Sequence, residues 1–106
     1  MATPLQRQIN INKNVPGPSP RVKFDPNPLA AFTRDQIFWT NNDTEPHWPG
    51  LLNADGTINT TFFMPNQIAG NGDTSATFSP STPATFTYVC SLHQDEKGTI
   101  TITQSP

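Results

Sequence analysis

Residues 85–102, TFTYVCSLHQDEKGTITI, hold two alternating apolar and polar runs around a short polar loop, a pattern that commits this part of the chain to paired strands. Period-two alternation places every second side chain on one face of a strand. Cys90, the only cysteine, ends the first run; His93 follows with two residues between them, and the second run begins after Gly98. One short loop between two strands therefore delivers a thiol and an imidazole together. Loop side chains on a rigid strand scaffold are fixed in place without a pre-existing pocket, which suits a metal ion held at the end of a β-sandwich.

The rest of the chain reads in the same way. Residues 7–12 alternate, with Ile9 and Ile11 on one face, and a proline-punctuated stretch, NVPGPSP, follows. Val22 and Phe24 mark a second short strand, closed by Asp-Pro and Asn-Pro pairs. Residues 29–32 are expected as a short helical turn or an irregular crossing. Residues 36–40, QIFWT, have high strand preference before the turn residues Asn41, Asn42 and Asp43. Asn53-Ala54-Asp55-Gly56 supplies a hairpin turn, residues 60–63 are expected as a strand, and residues 65–73 as a loop. Residues 74–79 and 84–90 read as consecutive antiparallel strands, with residues 98–103 completing the sheet.

About seven or eight short strands with turn signals at this spacing indicate an all-β sandwich. At 106 residues the chain is expected to be a single domain, its residues 1–20 forming an N-terminal strand and a Pro-rich connection. Six Lys and Arg against eight Asp and Glu leave no basic footprint for nucleic acid or an anionic membrane. No apolar run reaches the length of a membrane span, and the start of the chain lacks the apolar core of a signal peptide. Met1-Ala2 fits a protein whose leader has been removed as well as it fits a cytoplasmic one. A lone cysteine makes no intramolecular disulfide, so its thiol is reduced, buried or coordinated.

His47, the other histidine, lies between Pro46 and, after Trp48, Pro49, so the backbone aims its imidazole at little entropic cost. Two imidazoles and one thiolate are the donors of a trigonal copper site. Zinc takes the same atoms, yet structural zinc sites use four ligands and paired cysteines. Copper is favoured, with zinc still open. Asn41 and Asn42 are expected to stabilise their turn and brace the loops behind the ligands, and Trp48 to pack beside His47 and shield it.

From about Val22 onward the sequence resembles the cupredoxins, small blue-copper sandwich proteins such as plastocyanin and amicyanin. The resemblance rests on IFWTNNDTEPH, on the TATFSPSTPATFTYVC run into the cysteine, and on CSLH followed by GTITI. It implies a Greek-key β-sandwich binding one copper ion per chain through His47, Cys90 and His93. It further implies one-electron transfer with a transient protein partner, a monomeric state as the default, and an exported, periplasmic setting. The electron would leave through a small patch of His93, Leu92, Pro49 and Leu51. The sequence departs from the family where methionine is the usual fourth ligand: Glu96 fills that place in HQDEKG, and neither Met64 nor Met1 matches a ligand position.

Glu96 is therefore expected as the axial ligand. A carboxylate oxygen is harder and more anionic than a thioether, favours Cu(II) over Cu(I), and lowers the reduction potential. Two alternatives stay open: a copper site whose carboxylate exchanges for a small molecule, and a non-redox copper-binding module. A hydrolase is disfavoured, because no Ser-centred elbow is present and a Cys-His protease leaves His47 unexplained.

Overall fold

The computed structural model describes residues 4–13 and 22–105, so the Pro-rich connection lies outside the described residues. In chain order the strands are β1 (Gln6–Lys13), β2 (Val22–Asp25), β3 (Leu29–Phe32), β4 (Gln36–Asn41), β5 (Pro49–Leu52), β6 (Ile58–Asn59), β7 (Asp73–Thr74), β8 (Ala84–Cys90) and β9 (His93–Thr103). They form two sheets, ordered β2-β1-β4-β7 and β3-β9-β8-β5-β6. The described residues are thus an all-β sandwich of nine strands where about seven or eight were expected: β3, β5 and β6 are additional, and the strand expected over residues 60–63 does not form.

Alternation decides which faces meet. In β1 the inward residues Ile9 and Ile11 are wholly buried, and in β4 Ile37, Trp39 and Asn41 take the same role. Parallel pairing sets Ile9 beside Trp39 and Ile11 beside Asn41. The opposing sheet contributes Tyr88, Ile100 and Ile102. Aromatic edges knit the layers: Tyr88 lies edge-on to Phe24 at 4.8 Å and to Trp39 at 5.4 Å between ring centroids. Tyr88 pairs with Gly98 across β8 and β9, and its ring occupies the space a side chain at Gly98 would need.

Three local expectations are corrected. Residues 29–32 are strand β3, not a turn: Leu29 and Ala31 face inward, and the segment pairs in parallel with residues 100–103 of β9. Residues 60–63 are turn; the strand stops at Asn59, and Phe63 is drawn into the core against Trp39 at 5.3 Å. Residues 74–79 alternate but form no continuous strand. Ser75 Oγ accepts the Trp39 N–H at 2.9 Å, replacing a backbone carbonyl, and pairing with β4 resumes only at an isolated Ile37–Phe78 bridge. The Asp55-Gly56 turn does join β5 to β6, with Gly56 at φ 89°, a conformation that favours glycine.

Candidate metal centre

The end of β8 and the start of β9 build one side of the site. Val89 pairs with Lys97, but the next residue, Cys90, pairs with His93, so Gln94, Asp95 and Glu96 have no counterparts on β8. This bulge re-aims the strand. Gln94 and Asp95 point to solvent, while Glu96 is turned inward at 1% exposure. Only Ser91 and Leu92 separate the two strands, so the thiol and the His93 ring are fixed at a sheet terminus.

The other side comes from the segment after β4. His47 forms a two-hydrogen-bond bridge with Ile68, 3.1 Å from its N–H and 2.8 Å to its carbonyl. Asn41 ties this segment together. Its amide donates to the carbonyls of Glu45 at 2.8 Å and Ile68 at 3.1 Å, and its Oδ1 accepts the Asp43 N–H at 3.0 Å. The inward position that follows Ile37 and Trp39 is thus polar because it braces a loop. Trp48 joins the two sides, donating its N–H to Cys90 Sγ at 3.4 Å while its carbonyl accepts the Ser91 N–H at 2.8 Å.

Four donors converge as a result. His47 Nδ1 lies 3.6 Å from Cys90 Sγ and 3.0 Å from Glu96 Oε1; His93 Nδ1 lies 3.7 Å and 3.5 Å from the same two atoms. All four ligand atoms fall within 4.8 Å of one another, with only the His93 side chain partly exposed, at 32%.

Electrostatics fit a cation at this point. Burial pushes the Cys90 thiol up, and the Glu96 carboxylate adds to this, against the backbone N–H groups of Trp48, Leu92 and His93. Burial likewise raises the Glu96 carboxyl, opposed by the rings of His47 and His93. Neither oxygen of Glu96 has a hydrogen-bond partner of sound geometry, despite complete burial. Buried carboxylates are normally paired or coordinate a metal. The orphaned oxygens and a donor set of two nitrogens, one sulfur and one oxygen suit a borderline or soft divalent ion.

The remaining sequence expectations divide. Asn41 braces the loop as described, whereas Asn42 is exposed and donates to Asn12 at 2.9 Å and Asn10 at 3.4 Å, away from the site. Trp48 is half-buried against the core. Leu92 is 45% exposed beside His93, and Leu51 is half-buried; Pro49 is buried opposite Cys90 and offers no surface to a patch. Sequence reasoning passed over Asp43, wholly buried with Oδ2 2.9 Å from His47 Nε2. Its one signal was an acidic residue four positions before a histidine in a turn-rich stretch.

No family model matches the sequence, and no curated protein matches it. Solved structures do. The fold is similar to that of a purple cupredoxin from Nitrosopumilus maritimus, at 22% identity over 91% of this chain and 98% of that one, with a TM-score of 0.75. It is also similar to amicyanin from Paracoccus versutus, at 14% identity over 91% and 79% of the two chains and a TM-score of 0.65. The reduced state of an amicyanin variant gives 16% identity over 91% and 80%, with a TM-score of 0.66.

Proposed function

From the cupredoxin fold that these likenesses show, we propose that the chain is a type 1-like copper protein that carries single electrons. In this reading one copper ion per chain would be held by Nδ1 of His47, Nδ1 of His93 and Sγ of Cys90, with Glu96 as the fourth donor. The observation that carries it is the convergence of these four donor atoms within 4.8 Å, one of them an otherwise orphaned buried carboxylate. Bound copper supplies the one-electron couple. The protein holds the donors on strand ends and a double-bridged loop, so that little rearrangement accompanies a change of charge.

His93 is the ligand with a solvent-reaching edge, and with exposed Leu92 it makes the electron exit for a transient redox partner. Because both the thiol and the carboxyl must lose protons to bind, loading releases protons and is opposed by acid. A carboxylate donor from Glu96 would favour Cu(II) over Cu(I) and so lower the potential, and a non-blue colour is expected. The neighbour from Nitrosopumilus maritimus is itself described as purple. An exported location belongs to the same proposal, by likeness to the amicyanins. No helix of the described residues is long and apolar enough to cross a membrane.

A cleft of about 380 Å³ is lined by Val22, Lys23, Phe24, Asn27, Asp95 and Lys97, and none of the four donors lines it. Nothing there favours a small-molecule reaction at copper over electron transfer. Electronic absorption and electron paramagnetic resonance of the copper-loaded chain test the proposal. An intense thiolate-to-copper band with one ion per chain is expected, together with a reduction potential that rises in Glu96→Met. Absence of the band, or a potential unmoved by that substitution, contradicts it.

A further inference from the structure

The sequence carries Asn-X-Thr at two places, Asn42-Asp43-Thr44 and Asn59-Thr60-Thr61, and the fold treats them in opposite ways. This triplet is the acceptor pattern for glycosylation of the asparagine amide, a modification of exposed segments in exported chains. At the first place the acceptor is locked. Asn42 donates its side-chain amide to Asn12 at 2.9 Å and to Asn10 at 3.4 Å, and its backbone N–H is held by the Ile11 carbonyl at 3.0 Å. The middle residue, Asp43, is wholly buried. An enzyme that draws the triplet into its own cleft would have to break the turn after β4.

The second triplet is open. β6 is the outermost strand of its sheet and pairs with β5 through Leu52–Ile58 and Leu51–Asn59. Ile58 lies against Gly50, which has no side chain to keep it off, and this contact fixes the strand; Asn59, on the opposite face, is exposed. The strand ends there in a turn, closed by the Phe62 N–H on the Asn59 carbonyl at 3.4 Å, and Thr61 is exposed within it. The Thr61 hydroxyl donates to Asn59 Oδ1 at 3.5 Å, and Nδ2 has no hydrogen-bond partner among the described residues. The acceptor pattern, an unengaged amide nitrogen and the hydroxyl beside it thus meet at an exposed strand edge.

We propose that Asn59 is the acceptor for an N-linked glycan, taken from an oligosaccharide carried on a lipid phosphate. In the transfer, Nδ2 of Asn59 bonds to the anomeric carbon of the first sugar, and the bond from that carbon to the phosphate oxygen breaks. The lipid phosphate leaves with the electron pair, and the proton lost from Nδ2 balances the charge it gains. The glycan would cover the open edge of β6, where unpaired backbone groups otherwise invite pairing with another chain. The inference rests on the exported location in the reading above and on no property of copper.

Mass spectrometry of peptides from the protein purified from its own cells is the first arm of the test. A glycan on the peptide that contains Asn59, and none on Asn42, is expected. In the second arm the folded, unmodified protein is incubated with an oligosaccharyltransferase and a lipid-linked oligosaccharide. Transfer should occur at Asn59, be lost in Asn59→Gln and in Thr61→Ala, persist in Thr61→Ser and be unchanged in Asn42→Gln. These side chains are all exposed, and circular dichroism checks that each variant is folded. A bare Asn59 in the native protein overturns the inference. So does transfer undiminished in Thr61→Ala, or transfer to Asn42 and Asn59 alike in the folded chain. A glycan on Asn59 in a protein without a copper–thiolate band would defeat the electron-transfer reading and leave this one standing; a bare Asn59 in a protein with that band does the reverse.

Discussion

Two buried carboxylates at opposite ends of the sandwich have opposite surroundings. Asp35, just before β4, accepts the Leu5 N–H at 2.9 Å, the Phe32 N–H at 3.0 Å and the Arg7 guanidinium at 2.9 Å. Burial by itself would raise its pKa, but those donors together outweigh it and hold the carboxyl below its ordinary value of 3.8. Glu96, at the Cys90 end, has no hydrogen bond of sound geometry, and burial raises its carboxyl. The first group is completed by the protein and stabilises the fold. The second meets the His47 and His93 rings, at 3.0 and 3.5 Å, a grouping that a cation among these donors would complete.

The largest contrast is expected from removing the sulfur. Cys90→Ser should abolish the thiolate-to-copper absorption altogether while the metal-free chain stays folded; Asp35 variants should leave that band in place. Visible spectra of both, after copper loading, check this. Next in size is stability: Asp35→Ala strands two backbone N–H groups and Arg7, and should cost about 2–4 kcal/mol in urea unfolding. Asn41→Ala, which frees two buried and one partly buried hydrogen-bonding groups at the other end, should cost about 2–3 kcal/mol and weaken metal binding as well.

The depressed Asp35 carboxyl also sets a pH window. Below the ordinary value of 3.8 the unfolded chain takes up a proton that the folded chain resists, so the stability from this group is present above that value and lost as pH falls through the folded pKa. Asp35→Asn should flatten that acid limb in denaturation measured across pH. The smallest effect runs the other way. Glu96→Met removes an unsatisfied buried carboxyl and should stabilise the metal-free chain by on the order of 1 kcal/mol, seen as a higher melting temperature. An equal loss of stability in Glu96→Met and Asp35→Ala would erase the contrast between the two ends.

That Cys90 and His93 stand together was legible in the sequence, because local pattern puts Cys90 at the end of an alternating run and His93 across a two-residue turn, whereas Glu96 was singled out only by the resemblance, at the place of the usual methionine. The sandwich was legible from local pattern in β1, β2 and β4, where hydrophobic alternation matches burial. Strand β3 was not, since its partner is a parallel strand some seventy residues away and no hairpin turn announces it. The bulge that turns Glu96 inward was hidden too, because a polar DEK triplet reads as solvent-facing until the Val89–Lys97 and Cys90–His93 pairings are known. Asp43 was read as an ordinary turn residue. Its burial depends on the Asn41 side chain and on the Ile68 segment crossing above it, which no local pattern encodes.

The most direct measurement is a crystal structure of the copper-loaded protein with the ion located by its anomalous scattering. One copper bonded to Nδ1 of His47, Nδ1 of His93, Sγ of Cys90 and a carboxylate oxygen of Glu96 is the predicted result. An ion bound elsewhere, or a Glu96 side chain turned away and hydrogen-bonded to the protein, would contradict it.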